Sequence, residues 1–315
     1  MFYVMPAIRP DRWLNLTEEH VKSWLQPTQV RSRFGRLPDY IPRLAELPPD
    51  SLAIAIHGSA LPSLGLGHLD RQFVLMSIIK PLMLLFLLDK FGIEPIFSRV
   101  GVEPSDQPFH SITQLASDRG RPRNPMINSG AISLAAMLPG STSEVRCEGL
   151  RRWLNDRAGC NLQVDPLMLA SVQSLGNETN RAIAHLLHRS GYLDELDLVL
   201  DTYNQICCLS GTVIDLARLG TLLAIAQPNL EPDYQRIVNS IMLTCGLYEA
   251  SSKYAIRIGL PIKSGVSGSL LAVLPNRGAI AIYSPPIDEM GNSVGGLFLL
   301  EQLVQDFHLS LFQTD

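Results

Sequence analysis

The chain has 315 residues, of which 18% are charged and 46% hydrophobic, and its formal net charge is −4. This composition is typical of an ordered globular protein and excludes a disordered chain. The weakly acidic balance gives no reason to expect nucleic acid or an anionic membrane as a partner. Five cysteines, an odd number without a C-x-x-C pair, indicate a reduced, cytoplasmic compartment. The N-terminus has no basic region followed by an apolar run, so no signal peptide is expected.

The first fifty residues are polar and spaced by prolines, with one predicted helix within residues 16–25 that opens at Thr17. Prolines then hold an extended loop at residues 37–45. This loop contains Tyr40, either a packing residue, which is the commoner role, or a hydroxyl aimed into a site. Apolar runs at residues 51–56 and 72–76 predict strands, and the second leads directly into Ser77.

The stretch from Phe73 to Phe91 holds a serine and a lysine, Ser77 and Lys80, in an otherwise apolar run. Residues three apart on a helix share a face, so the hydroxyl and the amine can exchange a proton. Pro81 is tolerated in a first turn, which puts Ser77 at the helix N-terminus. Burial among apolar neighbours would lower the pKa of the lysine toward that of a base. S-x-x-K also occurs by chance in many helices. The apolar run after Pro81 is only seven residues, whereas a membrane span needs about 20.

The middle of the chain predicts helices, separated by loops rich in proline and glycine. A dense loop at Arg119–Ile132 contains Asn128, read as a helix entry or a ligand contact. His185 and His188 have a metal-ligand spacing but no evident third ligand, so no metal site is expected. The predicted helices span residues 132–138, 149–157, 180–190, 193–204 and 212–226.

The last third returns to strands. Two apolar arms around Asn276-Arg277-Gly278 predict a hairpin, and residues 294–311 predict a closing helix. Lys263-Ser264-Gly265 before the hairpin is similar to the K-T-G element that accompanies S-x-x-K in serine β-lactamases and penicillin-binding proteins. The order of elements predicts an α+β fold, with a mainly antiparallel sheet flanked by helices and the site where a helical subdomain meets the sheet. We expect a single domain over residues 1–315, with an α/β part at about 37–90 and 240–315 and a helical insertion at about 91–239.

Between about Tyr40 and Gly296 the sequence resembles the serine-dependent glutaminases of β-lactamase-like fold. The segments that carry the resemblance are DYIP (39–42), SIIKP (77–81), VGVEPSDQPF (100–109), RPRNPMINSGAI (121–132), NRAIA (180–184), LDTYNQICC (200–208), LTCGLYEAS (243–251), GLPIKSGVSG (259–268) and SPPIDEMGNSVGG (284–296).

The resemblance implies hydrolysis of L-glutamine to L-glutamate and ammonia without a metal or organic cofactor, in a protein that forms homodimers or homotetramers. It makes Ser77 the nucleophile and Lys80 its activating base. It makes Tyr40 and Tyr248 candidates for relaying a proton to the departing ammonia. It also implies substrate contacts, which fall at Ser77, Asn128, Gln173, Asn180, Tyr203, Tyr248 and Val266, the last through a backbone N–H that completes an oxyanion hole with that of Ser77.

The sequence departs from the family at two of its substrate-reading positions. Gln173 stands where the family usually carries a glutamate that pairs with the α-ammonium group of glutamine, and Met76 stands where it usually carries glutamine. A lost charge-assisted hydrogen bond is worth roughly 1.5–3 kcal/mol. Weaker binding of the α-amino end of glutamine is therefore expected, unless Glu178 supplies the charge. Two other classes stay open. One is a β-lactam-interacting or esterase-like hydrolase that uses Ser77, Lys80 and Lys263, and the other is a non-catalytic binding protein.

Overall fold

The computed structural model of the chain describes residues 12–59, 63–175 and 178–313. The expectation about a signal peptide concerns residues that lie largely outside these ranges. Within them, no helix is both long and apolar enough to cross a membrane.

The described strands form two antiparallel sheets, so the predicted antiparallel sheet is confirmed. The larger sheet has the strand order β2-β1-β8-β7-β6 and contains the predicted hairpin as β7 and β8. The smaller sheet has the order β3-β5-β4. The strand before Ser77 therefore belongs to the smaller sheet and pairs with residues more than 130 positions later in the chain. The strands are β1 Ala53–Gly58, β2 Leu64–Gly67, β3 Phe73–Val74, β4 Gln163–Val164, β5 Leu209–Gly211, β6 Ile262–Ser264, β7 Ser269–Leu274 and β8 Gly278–Tyr283.

Helices make up most of the remaining described chain, and the five predicted helices of the middle region are all present with shifted ends. The first helix is longer than predicted and continues past Pro27, while the closing helix ends earlier, at Phe307. The helices are α1 Glu18–Ser32, α2 Pro42–Ala45, α3 Ile79–Phe91, α4 Ile93–Phe97, α5 Ile112–Ser117, α6 Asn128–Ala135, α7 Ser143–Ala158, α8 Pro166–Ser174, α9 Glu178–Arg189, α10 Leu196–Cys207, α11 Val213–Ala224, α12 Pro232–Cys245, α13 Ser251–Arg257 and α14 Val294–Phe307, with 3-10 helices at Arg12–Asn15, Met76–Ile78 and Tyr248–Ala250.

Helices cover both faces of the larger sheet, and one of them crosses it where its side chains are small. Ile54 and Ile56 point to the face covered by α1 and α14. Ala279 and Ala281 point to the opposite face, where α11 crosses the sheet. The approach is close, because a Cβ built on Gly220 of α11 would lie 2.4 Å from Cβ of Ala279. Small residues on this face thus let the helical layer sit directly on the sheet.

Helix α3 is the central element of that layer. Its residues Ile79–Leu88 are all buried, as expected for a helix that is apolar all round. Pro81 is its third residue, so the expected position of this proline in the first turn is confirmed. The only lysine in that buried run, Lys80, is held in the protein interior at the end of the helix nearest Ser77.

Candidate active site

A cavity of about 600 Å³ opens where the helical layer meets the end of the larger sheet. This volume is within the range of small-molecule sites. Of the residues singled out in the sequence, those lining the cavity are Tyr40, Met76, Ser77, Asn128, Glu178, Asn180, Tyr203 and Val266.

The hydroxyl-bearing residue Ser77 lies on the 3-10 turn that runs straight into α3, and it keeps 7% of its surface exposed. The preceding residue, Met76, has φ +47°. A non-glycine residue in the left-handed region is uncommon, and such residues are concentrated at functional sites. The strained turn presents Ser77 to the cavity.

The amine of Lys80 lies below the cavity wall and is fully buried. It donates to the backbone carbonyl of Met126 at 3.1 Å and to Oδ1 of Asn128 at 2.8 Å. Burial lowers its pKa from 10.5 to about 7, and the nearby Cys207 opposes that shift only in part. A neutral amine has two N–H donors and one lone pair. With both donors directed at carbonyl oxygens, the lone pair remains free to accept a proton.

Asn128 joins the lysine to the cavity wall. Its Oδ1 also accepts a hydrogen bond from the hydroxyl of Tyr203 at 3.3 Å, and its Nδ2 donates to Oδ1 of Asn180 at 2.9 Å. These three residues come from α6, α10 and α9, so the network fixes three helices around the amine. Asn128 is the first residue of α6, which agrees with its interpretation as a helix entry.

Tyr248 lies behind Ser77 and is 5% exposed. Its phenol donates to the carbonyl of Ser264 at 3.1 Å, and its side chain interacts with that of Ser77. Burial raises the pKa of this phenol well above its usual range, so it is neutral at pH 7. Tyr248 also has φ +57°, the second strained residue beside the serine. Tyr40, by contrast, is about half exposed on the cavity rim.

The turn after β6 approaches the serine from the sheet side. A Cβ built on Gly265 would lie 2.8 Å from the carbonyl oxygen of Leu75 and 3.2 Å from a side-chain carbon of Ile78. Only glycine permits this approach, which puts the backbone of Val266 at the cavity beside the Ser77 turn. The N–H of Val266 has no acceptor among the described residues.

Gln173 differs from the expectation of a substrate contact. It is exposed, it does not line the cavity, and its amide donates to Oδ1 of Asp201 at 2.8 Å, which ties α8 to α10. The preceding residue, Val172, lines the cavity instead, and so does Glu178 at the start of α9. The physical reason is the neighbouring carboxylate of Asp201, which accepts from an amide and would repel a glutamate.

Sequence reasoning gave no role to Phe109 and Cys207, which also line the cavity. Phe109 packs against Tyr248 in a tilted arrangement, with ring centroids 4.6 Å apart. Cys207 interacts with the hydroxyl of Tyr203, and burial raises its thiol pKa to about 11. Both lie in segments that carried the family resemblance, which was the only signal for them.

Among the described residues, no group of three or more His, Cys, Asp and Glu side chains could hold a metal ion.

An antiparallel sheet under a helical layer, with a serine open to a cavity and a desolvated lysine one turn further along, is the arrangement of a hydrolase of β-lactamase-like fold. Comparison with known proteins is more specific, since the Glutaminase family model matches residues 35–312. The chain therefore belongs to the glutaminase family.

Individual relatives agree with this assignment. A glutaminase from Synechocystis sp. is 44% identical over 292 residues, which cover 92% of this chain and 89% of that protein. A glutaminase from Geobacillus kaustophilus is 34% identical, over 94% of this chain and 98% of that protein. A crystal structure of a Bacillus subtilis glutaminase, in covalent complex with 5-oxo-L-norleucine formed from 6-diazo-5-oxo-L-norleucine, superposes with a TM-score of 0.84 at 29% identity, covering 93% and 99% of the two chains. The family, the fold and the glutaminase function expected from the sequence are confirmed.

Proposed function

We propose that the chain hydrolyses the side-chain amide of L-glutamine through an acyl-enzyme on Ser77, with Lys80 as the base. The observation that carries this proposal is the burial of Lys80 with both of its donors engaged by carbonyl oxygens. An amide is a poor electrophile, so its cleavage requires an activated nucleophile and donors directed at the developing oxyanion.

In acylation, the lone pair of Lys80 takes the proton of Ser77 as Oγ attacks the amide carbon of glutamine. The carbonyl oxygen becomes an oxyanion that receives hydrogen bonds from the backbone N–H groups of Ser77 and Val266. A single donor of this kind is typically worth about 3 kcal/mol. The carbon–nitrogen bond then breaks, and the proton taken from Ser77 is returned to the leaving nitrogen, which departs as ammonia. The neutral phenol of Tyr248, whose side chain interacts with that of Ser77, is the candidate for this transfer, with Tyr40 on the rim as the second candidate.

In deacylation, Lys80 takes a proton from water, and the resulting hydroxide adds to the acyl carbon. Collapse of the second oxyanion releases L-glutamate and returns a proton to Oγ of Ser77. No other reactant is required, so water, glutamine, glutamate and ammonia balance the reaction.

The amino-acid end of glutamine would lie against Asn128, Asn180 and Tyr203, which support this placement by lining the same cavity in one hydrogen-bonded network. The α-ammonium group has no carboxylate at position 173. We therefore propose that this end is bound weakly unless Glu178, which lines the cavity, supplies the charge. Amides with a modified amino group are the alternative substrates that this reading favours.

Ammonia release by the wild type and the Ser77→Ala variant tests the proposal directly, with glutamine, asparagine and N-acylated glutamine as substrates. Loss of all ammonia release in Ser77→Ala supports the nucleophile, and retained release contradicts it. Incubation with 6-diazo-5-oxo-L-norleucine followed by peptide mass spectrometry is an independent check. Displacement of N₂ by Oγ should leave a 5-oxonorleucyl adduct on Ser77.

Binding of glutamine without ammonia release would instead support the non-catalytic alternative.

A cytoplasmic location is supported by five cysteines that are all free. Assembly into homodimers or homotetramers and the division of the chain into an α/β part and a helical insertion stay predictions.

A further inference from the structure

A second lysine, Lys263 on β6, is fully buried close to the site and takes no part in the steps above. Its amine donates to the carbonyl of Gly246 at 3.1 Å and to that of Ser264 at 2.7 Å. Within the described ranges it has no carboxylate partner, and it does not line the cavity. Because an unpaired buried amine costs folding free energy, an apolar residue would serve a purely structural position better.

The contact that distinguishes Lys263 is the one with Tyr248. The amine lies over the phenol ring, 4.2 Å from its centroid. Both side chains also donate to the same acceptor, the carbonyl of Ser264. Phe109 packs against the tyrosine ring 4.6 Å away, so two neighbours fix the plane of a residue whose backbone is in the left-handed region.

We propose that Lys263 is a positioning residue, which holds the ring of Tyr248 and the Ser264 carbonyl so that the phenol stays beside the Ser77 side chain. The inference deepens the proposed function and rests on it. Lys263 cannot itself touch substrate, because it is sealed from the cavity and both of its hydrogen bonds are with backbone oxygens. Its effect on catalysis must therefore pass through Tyr248.

Non-additivity in a double-mutant cycle measures such an indirect effect. The cycle consists of wild type, Lys263→Met, Tyr248→Phe and the double variant, assayed by ammonia release from glutamine with kcat and KM determined separately. Methionine keeps the length of the lysine stem and removes the donors. Leu271→Met is the matched control, since Leu271 pairs with Lys263 in the β6–β7 ladder and is equally buried.

We expect Tyr248→Phe to lower kcat by about a hundredfold, as for loss of a proton-transfer group. Lys263→Met should lower kcat by roughly tenfold or more, as for a misplaced catalytic group, with KM within about twofold of wild type. The double variant should match Tyr248→Phe, and Leu271→Met should match wild type. A purely structural role predicts instead that the two losses multiply.

Three results would overturn the inference: multiplied losses in the double variant, wild-type kcat in Lys263→Met, or wild-type kcat in Tyr248→Phe. If Lys263→Met does not fold, as judged by circular dichroism and thermal unfolding, Lys263→Gln takes its place in the cycle, because its amide retains a donor. Failure of the proposed function gives a different result, in which wild type releases no ammonia or Ser77→Ala still does.

Discussion

Replacing Lys80 by methionine should remove activity and at the same time change how stability depends on pH. The folded protein holds this amine at a pKa of about 7, against 10.5 for an ordinary lysine. Below pH 7 the buried amine is charged, and the full desolvation penalty opposes folding. Above pH 10.5 the amine is neutral in both the folded and the unfolded chain, and the penalty disappears. The free energy of unfolding of the wild type therefore gains a contribution that rises with pH between these values.

The size of this contribution follows from the two pKa values. The interval between 10.5 and about 7 is worth at most about 5 kcal/mol, of which about 4 kcal/mol falls between pH 6 and pH 10. The methionine variant lacks this contribution but leaves the acceptors on Met126 and Asn128 without their donor, which costs about 1–3 kcal/mol at every pH. We expect Lys80→Met to be the more stable protein at pH 6 and the less stable one at pH 10.

Urea denaturation of both proteins at pH 6, 8 and 10 measures the difference. Other groups that titrate in this range are present in both proteins and largely cancel. A difference in unfolding free energy that stays constant across the range would refute the claim that the amine is desolvated. The assignment of Lys80 as base would then lose its physical support, even if the variant were inactive.

Three further predictions follow from the same contacts. The kcat/KM for glutamine should fall about tenfold per pH unit below an apparent pKa of about 7, because only neutral Lys80 accepts a proton; a flat profile down to pH 5 in a stopped ammonia assay would contradict this. Gln173→Glu should place a carboxylate beside Asp201 and lower stability by about 1 kcal/mol without lowering KM; a tenfold decrease in KM would show that residue 173 reaches the substrate. Gly265→Ala should lower kcat by about a hundredfold, because its Cβ would collide with a backbone carbonyl of the serine turn and displace the oxyanion donor. Gly149→Ala is the control, since a Cβ at this position in the middle of α7 meets nothing within 4 Å. The control should leave kcat unchanged and raise the melting temperature.

Local patterns predicted the elements that carry the site. The apolar run around Lys80 predicted that this lysine is buried, and Pro81 predicted where the helix starts. The hairpin pattern around Gly278 predicted the two strands at the centre of the sheet. Each of these depends on residues within about one element of each other, where periodicity and turn chemistry are informative. The motifs of the family supplied the long-range grouping of Asn128 and Asn180.

Other features depend on partners that are distant in sequence. The apolar run before Ser77 predicted a strand, but its partner β5 lies more than 130 residues later, and no local pattern could identify it. The side chain of Gln173 is oriented by the carboxylate of Asp201, 28 residues later in the chain. This contact cannot be found by counting positions back from a family motif. The left-handed backbone of Met76 was also hidden, because methionine does not signal a positive φ as glycine does.

The positions of the two buried lysines account for their different roles in the proposed mechanism. Lys80 lowers the pKa of Lys263, in addition to the effect of burial, because two charged amines in one dry region repel. When Lys80 takes a proton from the nucleophile, the new positive charge is most easily accommodated if Lys263 is neutral. A neutral Lys263 keeps two donors for the carbonyls of Gly246 and Ser264, so it can hold Tyr248 without competing for the proton. The separation of roles therefore requires Lys263 to remain sealed from water. A substitution that hydrates it would let it carry a charge, which should lower the pKa of Lys80 and shift the acid limb of the pH profile to lower pH without removing the nucleophile.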